Sequence, residues 1–264
     1  KIHPQHIQVT MTKILIKSLV RDNQRWIPFF RSMVDNLETK FPDIQFSTWI
    51  FENDSIDHSK KLIRENFENY YIQKFDHPID NMTRTRRLAR YRNMFKEKME
   101  DEIPQYDYVL LVDSNIFFSQ SAFSKMIETI QTPGISMVCP HACVQTSLPC
   151  RFFYDTFATI TASGERCSQF TNVVECEHHG ATHDRHCHKA QGNPPIYTHK
   201  DGRIIDFNSC FGGFVLVKRE AYEQSKWAIK DSSDCEHWAF CEDVRKHGRV
   251  VMDRDANVIW TEFF

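Results

Sequence analysis

Carboxylate and amide side chains follow a short apolar segment near the middle of the chain. Residues 108–112 read Tyr-Val-Leu-Leu-Val, which is typical of a buried strand, and Asp113, Ser114 and Asn115 come directly after it. In an open α/β sheet, ligands bind at the carboxyl ends of the strands. Asp113 and Asn115 are two residues apart, so both can reach one side of an extended chain and bind a hard divalent cation. A simple turn is the alternative, because Asp, Ser and Asn are favoured in turns.

A second acidic segment, Glu52 to Asp57, ends another predicted strand. It reads Glu-Asn-Asp-Ser-Ile-Asp, and its oxygen atoms could accept hydrogen bonds from a ribose or a base. The same residues could instead cap the next helix and supply acids to its first turn. The two interpretations are compatible with each other.

Five arginines lie close together on a long charged segment that contains no glycine or proline. No lysine or acid interrupts them: they are Arg84, Arg86, Arg87, Arg90 and Arg92. Residues three apart share a helix face, so Arg84 with Arg87, or Arg87 with Arg90, could present forked donors to a diphosphate. A solvated helix surface is the alternative for such a charge run.

Two residue pairs in the second half of the chain are further candidates. Gly212 and Gly213 open an apolar segment, and a glycine pair allows a ligand or another backbone to approach closely. Glu242 and Asp243 are adjacent acids in a predicted helix, so at most one of them would face a site. A solvated helix surface is the alternative for this acidic pair.

Cysteine and histidine are concentrated between residues 176 and 188. Thiolate and imidazole are preferred zinc ligands, but the spacing matches no standard zinc module, so a flexible polar loop competes with a zinc site. The nine cysteines are an odd number, which leaves at least one free thiol in a monomer. Met11 begins a strand-like segment, so we expect residues 1–10 to be an added tail and the protein to be cytoplasmic with reduced cysteines. A lumenal fragment of a secretory-pathway enzyme, with some cysteines paired, is the alternative.

Composition restricts the classes of partner. Lys and Arg number 33 against 35 for Asp and Glu, so the net charge of −2 suggests no nucleic-acid partner. No window reaches the roughly 18 apolar residues of a membrane span, so no membrane insertion is expected. All 8 glycines and all 9 cysteines lie at or after Gly134. The front half therefore has no glycine-rich phosphate loop, and any nucleotide there must be bound by side chains.

Alternating apolar segments and helical patterns predict the elements that position these residues. We expect an α/β fold with a mainly parallel sheet covered by helices on both faces. The segment at 140–203 lacks periodicity and is expected to be a long irregular loop. The predicted strands are 14–20, 44–51, 70–75, 108–112, 135–138, 204–207, 211–217, 249–252 and 257–261. The predicted helices are 26–41, 56–67, 80–102 and 121–130, one from about 219, and 234–247.

The order of these motifs resembles the nucleotide-sugar glycosyltransferases of the GT-A fold. In that fold a first strand leads into a base-contacting loop, here residues 18–23, and a second ends in an acidic motif like Glu52 to Asp57. An Ala-x-x-Arg-Asn helix then precedes an Asp-x-Asp signature, which is present here as Asp113-Ser-Asn115. The resemblance covers residues 11 to about 260. It is strongest to the capsule-associated mannosyltransferase-like group and related enzymes of large DNA viruses, so a virus-encoded protein of the host cytosol is part of the expectation.

The resemblance implies a UDP- or GDP-linked sugar donor whose diphosphate is bridged by Mn²⁺ or Mg²⁺ to Asp113, with Asn115 or Ser114 assisting. The metal would act as a Lewis acid on the leaving diphosphate. Asn115 replaces the second acid of the signature, which reduces the charge available to a metal, and Glu262 could compensate. The residues implied to bind the donor's base, ribose and diphosphate are Val20, Arg21, Glu52, Asp54, Arg84, Arg87 and Arg92.

The resemblance also implies the acceptor side of the site. Gly212 and Gly213 would shape the sugar and acceptor pocket. Asp243, or Glu242 if the helix is rotated, would be the general base for inverting transfer to a glycan or glycoprotein acceptor. We expect one catalytic domain at 11–264, with a donor-binding half at 11–134 and an acceptor-binding half at 135–264. The transferred group would be a hexosyl or pentosyl unit.

Three alternatives to inverting transfer stay open. Retaining transfer of the mannosyltransferase type also occurs on this fold. A carbohydrate- or nucleotide-binding relative without catalysis would keep the fold and lack the base. A sugar nucleotidyltransferase would also use a carboxylate-bound metal, but it usually has a glycine-rich loop after its first strand, and this chain has none there.

Overall fold

The computed structural model describes residues 11–75, 82–145, 150–153, 155–166, 173–176, 202–231 and 234–260. Three sequence predictions fall wholly or mostly outside these residues. They are the added tail at 1–10, the Cys/His-rich segment at 176–188 and the possible ligand Glu262.

Four parallel strands form the first half of the central sheet. They are β1 (Thr12–Val20), β2 (Ile44–Asn53), β3 (Asn69–Gln73) and β4 (Tyr108–Val112), and they lie in the order β3-β2-β1-β4. Every residue of β1 from Ile14 to Ser18 is buried. A parallel strand covered on both faces has this continuous burial, because side chains of both parities pack against helices. The predicted parallel half of the sheet is confirmed.

Helices connect these strands and cover both faces of the sheet. They are α1 (Ile27–Lys40), α2 (Ser59–Asn66), α3 (Arg84–Glu97), a 3₁₀ turn (Ile103–Gln105) and α4 (Gln120–Ile130). In α1 the buried residues are spaced three or four apart, as a helix with one apolar face requires. The long helix predicted at 80–102 is shorter, since α3 ends at Glu97. None of the helices in the described part of the chain has the length and apolar character needed to span a bilayer.

The second half of the chain adds mostly antiparallel strands to the same sheet. The strands are β5 (Ile116–Phe118), β6 (Ile135–Gln145), β7 (Cys150–Phe153), β8 (Ile160–Thr161), β9 (Val173–Cys176), β10 (Ile204–Ser209), β11 (Phe214–Lys218) and β12 (Arg249–Trp260). After β4 the order in the sheet continues β11-β6-β12-β10-β8, while β5 pairs with β12 and β7 pairs with β6 and β9. The helices are α5 (Arg219–Gln224) and α6 (Glu236–Val244).

Two predictions about this half are corrected. The two closing strands predicted at 249–252 and 257–261 are one strand, β12, whose register on β6 shifts between Asp253 and Asn257. Polar residues at this shift interrupt the apolar pattern of the sequence, so two strands were predicted. In the structure, pairing with β6 continues beyond them. The segment at 140–203, predicted as irregular, contains three short strands, β7 to β9, and the extension of β6.

Two hydrophobic clusters lie on the two faces of the sheet. One contains the buried residues of α3, α5 and α6. The other contains those of α1 and α4. Since residues of a strand alternate between faces, Leu15 and Leu111 belong to the first cluster, and Ile14 and Leu110 to the second. The arginine-bearing helix and α6 therefore lie on the same face of the sheet.

A disulfide links Cys139 of β6 to Cys210, the residue after β10. Both sulfur atoms are in the core, because the two residues are 0% and 1% exposed. Cys235 and Cys241 are buried free thiols. The expectation that all cysteines are reduced is therefore wrong for this pair, and the structure agrees with the alternative in which some cysteines are paired.

Reduction of this disulfide is expected to destabilise the fold. The bond closes a loop with a sequence separation of 71. Restoring the entropy of that loop to the unfolded chain should lower the free energy of unfolding by about 4 kcal/mol. Urea unfolding with and without a reducing agent measures this, and Cys143→Ser, which leaves the disulfide intact, is the control for loss of a buried sulfur. Equal unfolding midpoints with and without reductant would show that the pair is not bonded.

Candidate active site

A cleft of about 350 Å³ opens where β1, β2 and β4 end. Its walls come from the segments after β1 and β4, from one face of α3, and from Trp260 at the end of β12. Seven residues that the sequence assigned to donor binding line it: Arg21, Arg84, Arg87, Arg92, Asp113, Ser114 and Asn115. The structure thus brings together residues that are up to 94 positions apart in the chain, and their roles stay predictions.

One face of α3 supplies the basic wall of the cleft. Arg84, Arg87 and Tyr91 line it at helical spacing, whereas Arg86 and Arg90 are exposed and lie outside it. Of the two arginine pairs that the sequence offered, Arg84 with Arg87 faces the cleft.

The position of α3 is set by side chains that bind the backbone after α5. The Asn93 side chain donates to the carbonyl of Trp227 (2.7 Å) and accepts from its N–H (3.1 Å). The Lys96 ammonium donates to the carbonyls of Glu223 and Ser225 at 2.8 and 2.6 Å. Burial lowers the pKa of Lys96 to about 8. These contacts give the asparagine of the Ala-x-x-Arg-Asn motif a structural role.

Arg92 lies between two acids at the inner end of the cleft. Its Nη2 is 3.5 Å from Asp113 Oδ1, and its Nε is 3.7 Å from Glu236 Oε1 at the start of α6. The guanidinium also lies over the ring of Phe211, 5.0 Å from the ring centroid. The side chain of Glu236 is only 5% exposed, so this acid is held against Arg92 inside the protein. Glu236 was not among the residues that the sequence suggested.

Asp113 is partly exposed and its charge is incompletely balanced. Burial raises the pKa of its carboxyl group, while Arg92 and, more weakly, Arg84 lower it. The Asp113 N–H donates to the carbonyl of Gly213 at 2.8 Å, which fixes the carboxylate against the glycine pair. A cation bound beside Asp113 would offset the cost of burying its charge.

The loop after β1 is closed by side chains instead of glycine. The N–H groups of Asp22 and Asn23 donate to the hydroxyl groups of Ser55 (2.9 Å) and Ser59 (2.8 Å). The Asn23 side chain donates to the Ser114 hydroxyl at 2.6 Å. Ser114 is 2% exposed, and its hydroxyl joins this loop to the segment after β4.

Three residues predicted to contact the base and ribose do not line the cleft. Val20 is buried on the opposite face of the sheet, and its neighbour Leu19 lines the cleft, because strand residues alternate between faces. Glu52 is 0% exposed and accepts from the N–H of Ser55 (2.7 Å). Asp54, at a positive φ of 54°, accepts from the N–H of Phe75 (2.9 Å). These two acids therefore shape the turn after β2, and neither lines the cleft.

Asn53 is the residue of this motif that faces the cleft. It is 2% exposed, and its side-chain N–H₂ group has no hydrogen-bond partner among the described residues. An unpaired buried donor is costly, so it indicates a place where a ligand oxygen would bind. Strand alternation from the buried Phe51 could have pointed to Asn53.

The two acids predicted as the general base lie away from the cleft. The Asp243 carboxylate accepts from the N–H of Lys226 (3.1 Å) and pairs with Lys246 (2.6 Å), and Glu242 pairs with Lys230 at 2.5 Å. Neither acid lines the cleft. Both lie in the last turn of α6, about 10 Å along the helix from Glu236 at its first turn.

Gly212 and Gly213 form a turn between β10 and β11 with φ values of +65° and +70°. A Cβ atom on Gly213 would lie 2.5 Å from Ile116 Cγ1 and 3.3 Å from Asp113 Oδ2. The Gly212 N–H donates to Asp155 Oδ2 at 2.8 Å. Asp155 lies in the segment predicted to be irregular, where no sequence signal distinguished it. The predicted glycine pair is therefore located directly behind Asp113.

No group of three His, Cys, Asp or Glu side chains within the described residues is arranged to hold a metal ion. Asp113 and Asn115 line the cleft together as oxygen donors. Mg²⁺ commonly takes one or two carboxylates from a protein and further oxygens from substrate phosphates. One carboxylate and one amide at a cleft lined by arginines fit a cation that arrives with a diphosphate.

The comparisons with known proteins bear on the fold. No protein-family model matches the sequence, and no curated protein matches it. The structure of the mannosyltransferase PcManGT from Pyrobaculum calidifontis, in complex with GDP-Man and Mn²⁺, is similar with a TM-score of 0.52 and 9% identity over 96% of this chain and 58% of that one. GalNAc-T7 with UDP, GalNAc and Mn²⁺ is similar with a TM-score of 0.54 and 10% identity over 96% of this chain and 43% of that one.

These similarities confirm the predicted fold, a mixed and largely parallel α/β sheet of the GT-A type. This chain spans roughly half the length of the two proteins.

The glycine turn gives a prediction for the site. Gly213→Ala should force Ile116 and Asp113 to move, in addition to the cost of about 1 kcal/mol for a left-handed alanine. Gly134→Ala is the matched control, because Gly134 has a φ of +80° but no atom within 4 Å of the added Cβ. We expect a larger loss in the free energy of unfolding for Gly213→Ala, measured by urea titration. Equal losses for the two variants would contradict the close packing behind Asp113.

Proposed function

We propose that the protein is a glycosyltransferase that moves a hexosyl or pentosyl group from a nucleoside diphosphate sugar to a hydroxyl group of a glycan or glycoprotein acceptor. The observation that carries this proposal is the cleft in which Arg84, Arg87 and Arg92 face Asp113. Clustered arginines opposite a carboxylate suit a diphosphate that is bound together with a divalent cation. The fold and its likeness to transferases solved with GDP-Man or UDP support the same reading.

In this proposal the outer part of the cleft binds the nucleoside. Asn53 offers an unpaired donor to an oxygen of the base or ribose. Leu19 and Tyr91 supply apolar walls beside it. UDP- and GDP-linked donors both remain candidates, because uracil and guanine each present an oxygen that such a donor can bind.

The inner part of the cleft binds the diphosphate. Arg84 and Arg87 provide donors from α3, and Arg92 is oriented by Asp113 and Glu236. Asp113 and Asn115 would hold Mn²⁺ or Mg²⁺, which when bound supplies positive charge to the leaving diphosphate. These residues neutralise the charge that develops on the leaving group as the glycosidic bond breaks.

A sugar nucleotidyltransferase and a non-catalytic binding protein are the two alternative classes of function. A sugar nucleotidyltransferase usually cradles phosphates with a glycine-rich loop, and here the loop after β1 is closed by Ser55 and Ser59. A non-catalytic relative would bind the donor without releasing nucleotide. The anomeric configuration of the product distinguishes inverting from retaining transfer.

Incubation with a panel of UDP- and GDP-sugars and Mn²⁺ tests the function through the nucleotide released. We expect release from at least one donor, and Asp113→Asn should abolish the Mn²⁺-dependent part of donor binding measured by calorimetry. Binding without any release, to water or to a glycan acceptor, would favour the non-catalytic alternative. Failure of the folded protein to bind any of these donors would reject the proposal.

The arginine face of α3 is tested with two matched variants. Arg87→Gln should raise the dissociation constant of the nucleoside diphosphate about tenfold or more, because a charge-assisted hydrogen bond contributes about 1.5–3 kcal/mol. Arg90→Gln removes the same charge from the exposed side of the same helix and should have little effect. Titration calorimetry with UDP and GDP in the presence of Mn²⁺ gives both constants. Equal effects would mean that only the net charge of α3 matters.

A further inference from the structure

Two acids contact one arginine at the inner end of the cleft, and a third acid lies near those two acids. Asp113 and Glu236 both contact Arg92 at 3.5 and 3.7 Å. Asp155 is near enough to both acids for their charges to raise its pKa. This third acid has no part in the donor contacts described above.

The Asp155 carboxylate is hydrogen-bonded to the Gly212–Gly213 turn that lies behind Asp113. Its Oδ2 accepts the N–H of Gly212 at 2.8 Å, and the next residue, Gly213, accepts the N–H of Asp113 at 2.8 Å. The two carboxyl groups are therefore joined through one two-residue turn. If Asp113 faces the donor diphosphate, the sugar attached to that diphosphate must lie near this turn, and so must the hydroxyl group that attacks it.

The backbone around Asp155 is held in an uncommon conformation. Its φ is +67°, a left-handed value that few residues with a Cβ atom adopt, although Asp tolerates it better than most. The Asp155 carbonyl accepts from the Ala158 N–H (3.2 Å) and the Thr159 hydroxyl (2.9 Å), and the Ala158 carbonyl accepts from the Ser209 hydroxyl (2.6 Å). The surrounding hydrogen bonds thus fix the position of this carboxyl group beside two other acids.

The other acids near this turn are less suited to accept a proton. Glu236 is 4% exposed, and its Oε1 lies 3.7 Å from Arg92 and 3.4 Å from His237 Nε2, so it is engaged in orienting Arg92. Asp113 faces the diphosphate in the proposed function. Asp155, by contrast, is partly accessible.

The electrostatic surroundings favour a proton on Asp155 near neutral pH. Burial is the main cause that raises its pKa to about 7, and the charges of Asp113 and Glu236 add to it, while the Gly212 N–H lowers it. The other titratable groups near it are the thiols of Cys235, which precedes α6, and of Cys241 on α6, and burial raises the pKa values of both. A base that titrates near the working pH is effective in general base catalysis.

We propose that Asp155 is the catalytic base that accepts the proton of the acceptor hydroxyl group; this inference rests on the proposed function. The O–H bond of the acceptor breaks and its proton passes to a carboxylate oxygen of Asp155. The hydroxyl oxygen forms a bond to the anomeric carbon. The bond from that carbon to the diphosphate oxygen breaks, and its electron pair leaves with the nucleoside diphosphate. Attack and departure on opposite faces invert the anomeric configuration.

Asp155→Asn separates the chemical role from the structural one. An amide oxygen can still accept the Gly212 N–H, but the amide cannot take a proton. We expect kcat to fall by about 10²- to 10⁴-fold, the usual contribution of a general base, with the dissociation constant for UDP or GDP plus Mn²⁺ unchanged. Asp206→Asn, an exposed acid on β10 paired with Arg249, is the matched control and should keep the wild-type kcat.

The pH profile and the product provide independent readouts. Burial raises the pKa of Asp155, so acidic pH favours the protonated form, which cannot accept a proton. The kcat of the wild-type protein should therefore fall as pH decreases. The residual kcat of Asp155→Asn should lack this decrease, and the wild-type product should have the inverted anomeric configuration.

Two results would overturn the inference. They are an unchanged kcat in Asp155→Asn and a product of retained configuration. Both leave donor binding and transfer in place, so they reject Asp155 as the base and not the proposed function. Failure of the wild-type protein to bind any donor rejects both.

Discussion

The arrangement of the cleft depends on one buried cation, Arg92. Its guanidinium lies between Asp113, which follows β4, and Glu236, which begins α6, and its own helix is α3. Three elements from distant parts of the chain are therefore joined at a single charged group whose side chain is 11% exposed. Removing one of the two acids would leave Arg92 with a single acidic partner and an excess of positive charge inside the protein, which is destabilising. The same contacts keep the guanidinium at the inner end of the cleft, where the proposed function places the diphosphate.

The first half of the chain builds this cleft without a single glycine. The turns after β1 and β2 are instead stabilised by side chains that bind backbone N–H groups, as Ser55 and Ser59 do for the loop after β1. Asp22 and Asp54 adopt positive φ values in these turns, a conformation that Asp tolerates better than most residues. Glu52 and Asp54, which the sequence suggested as ligand contacts, instead accept hydrogen bonds from backbone N–H groups at the turn after β2. What faces the ligand is mainly the arginine side of α3.

Helix α6 forms as predicted, but a different acid of this helix lies beside the cleft. The sequence predicted a helix there and suggested that one of two adjacent acids, Glu242 or Asp243, faces the site. In the structure the acid that reaches Arg92 is Glu236, in the first turn, and the adjacent pair forms ion pairs with lysines in the last turn. Helical periodicity predicts which residues share a face. It does not predict which end of the helix points at a site, since that depends on how the helix crosses the sheet.

The sequence by itself determined the parallel strands β1 to β4, the cluster of arginines on α3 and the carboxylate at the end of β4. Each of these follows from local patterns, namely apolar runs, helical spacing and the position of polar residues after a strand. Only the tertiary structure decided that Asn53 faces the cleft in place of Glu52, and that Asp155 and Glu236 lie beside Asp113. These outcomes depend on strand parity and on contacts between residues far apart in the chain. Such contacts form only when the sheet and its helices pack together, so no local pattern records them.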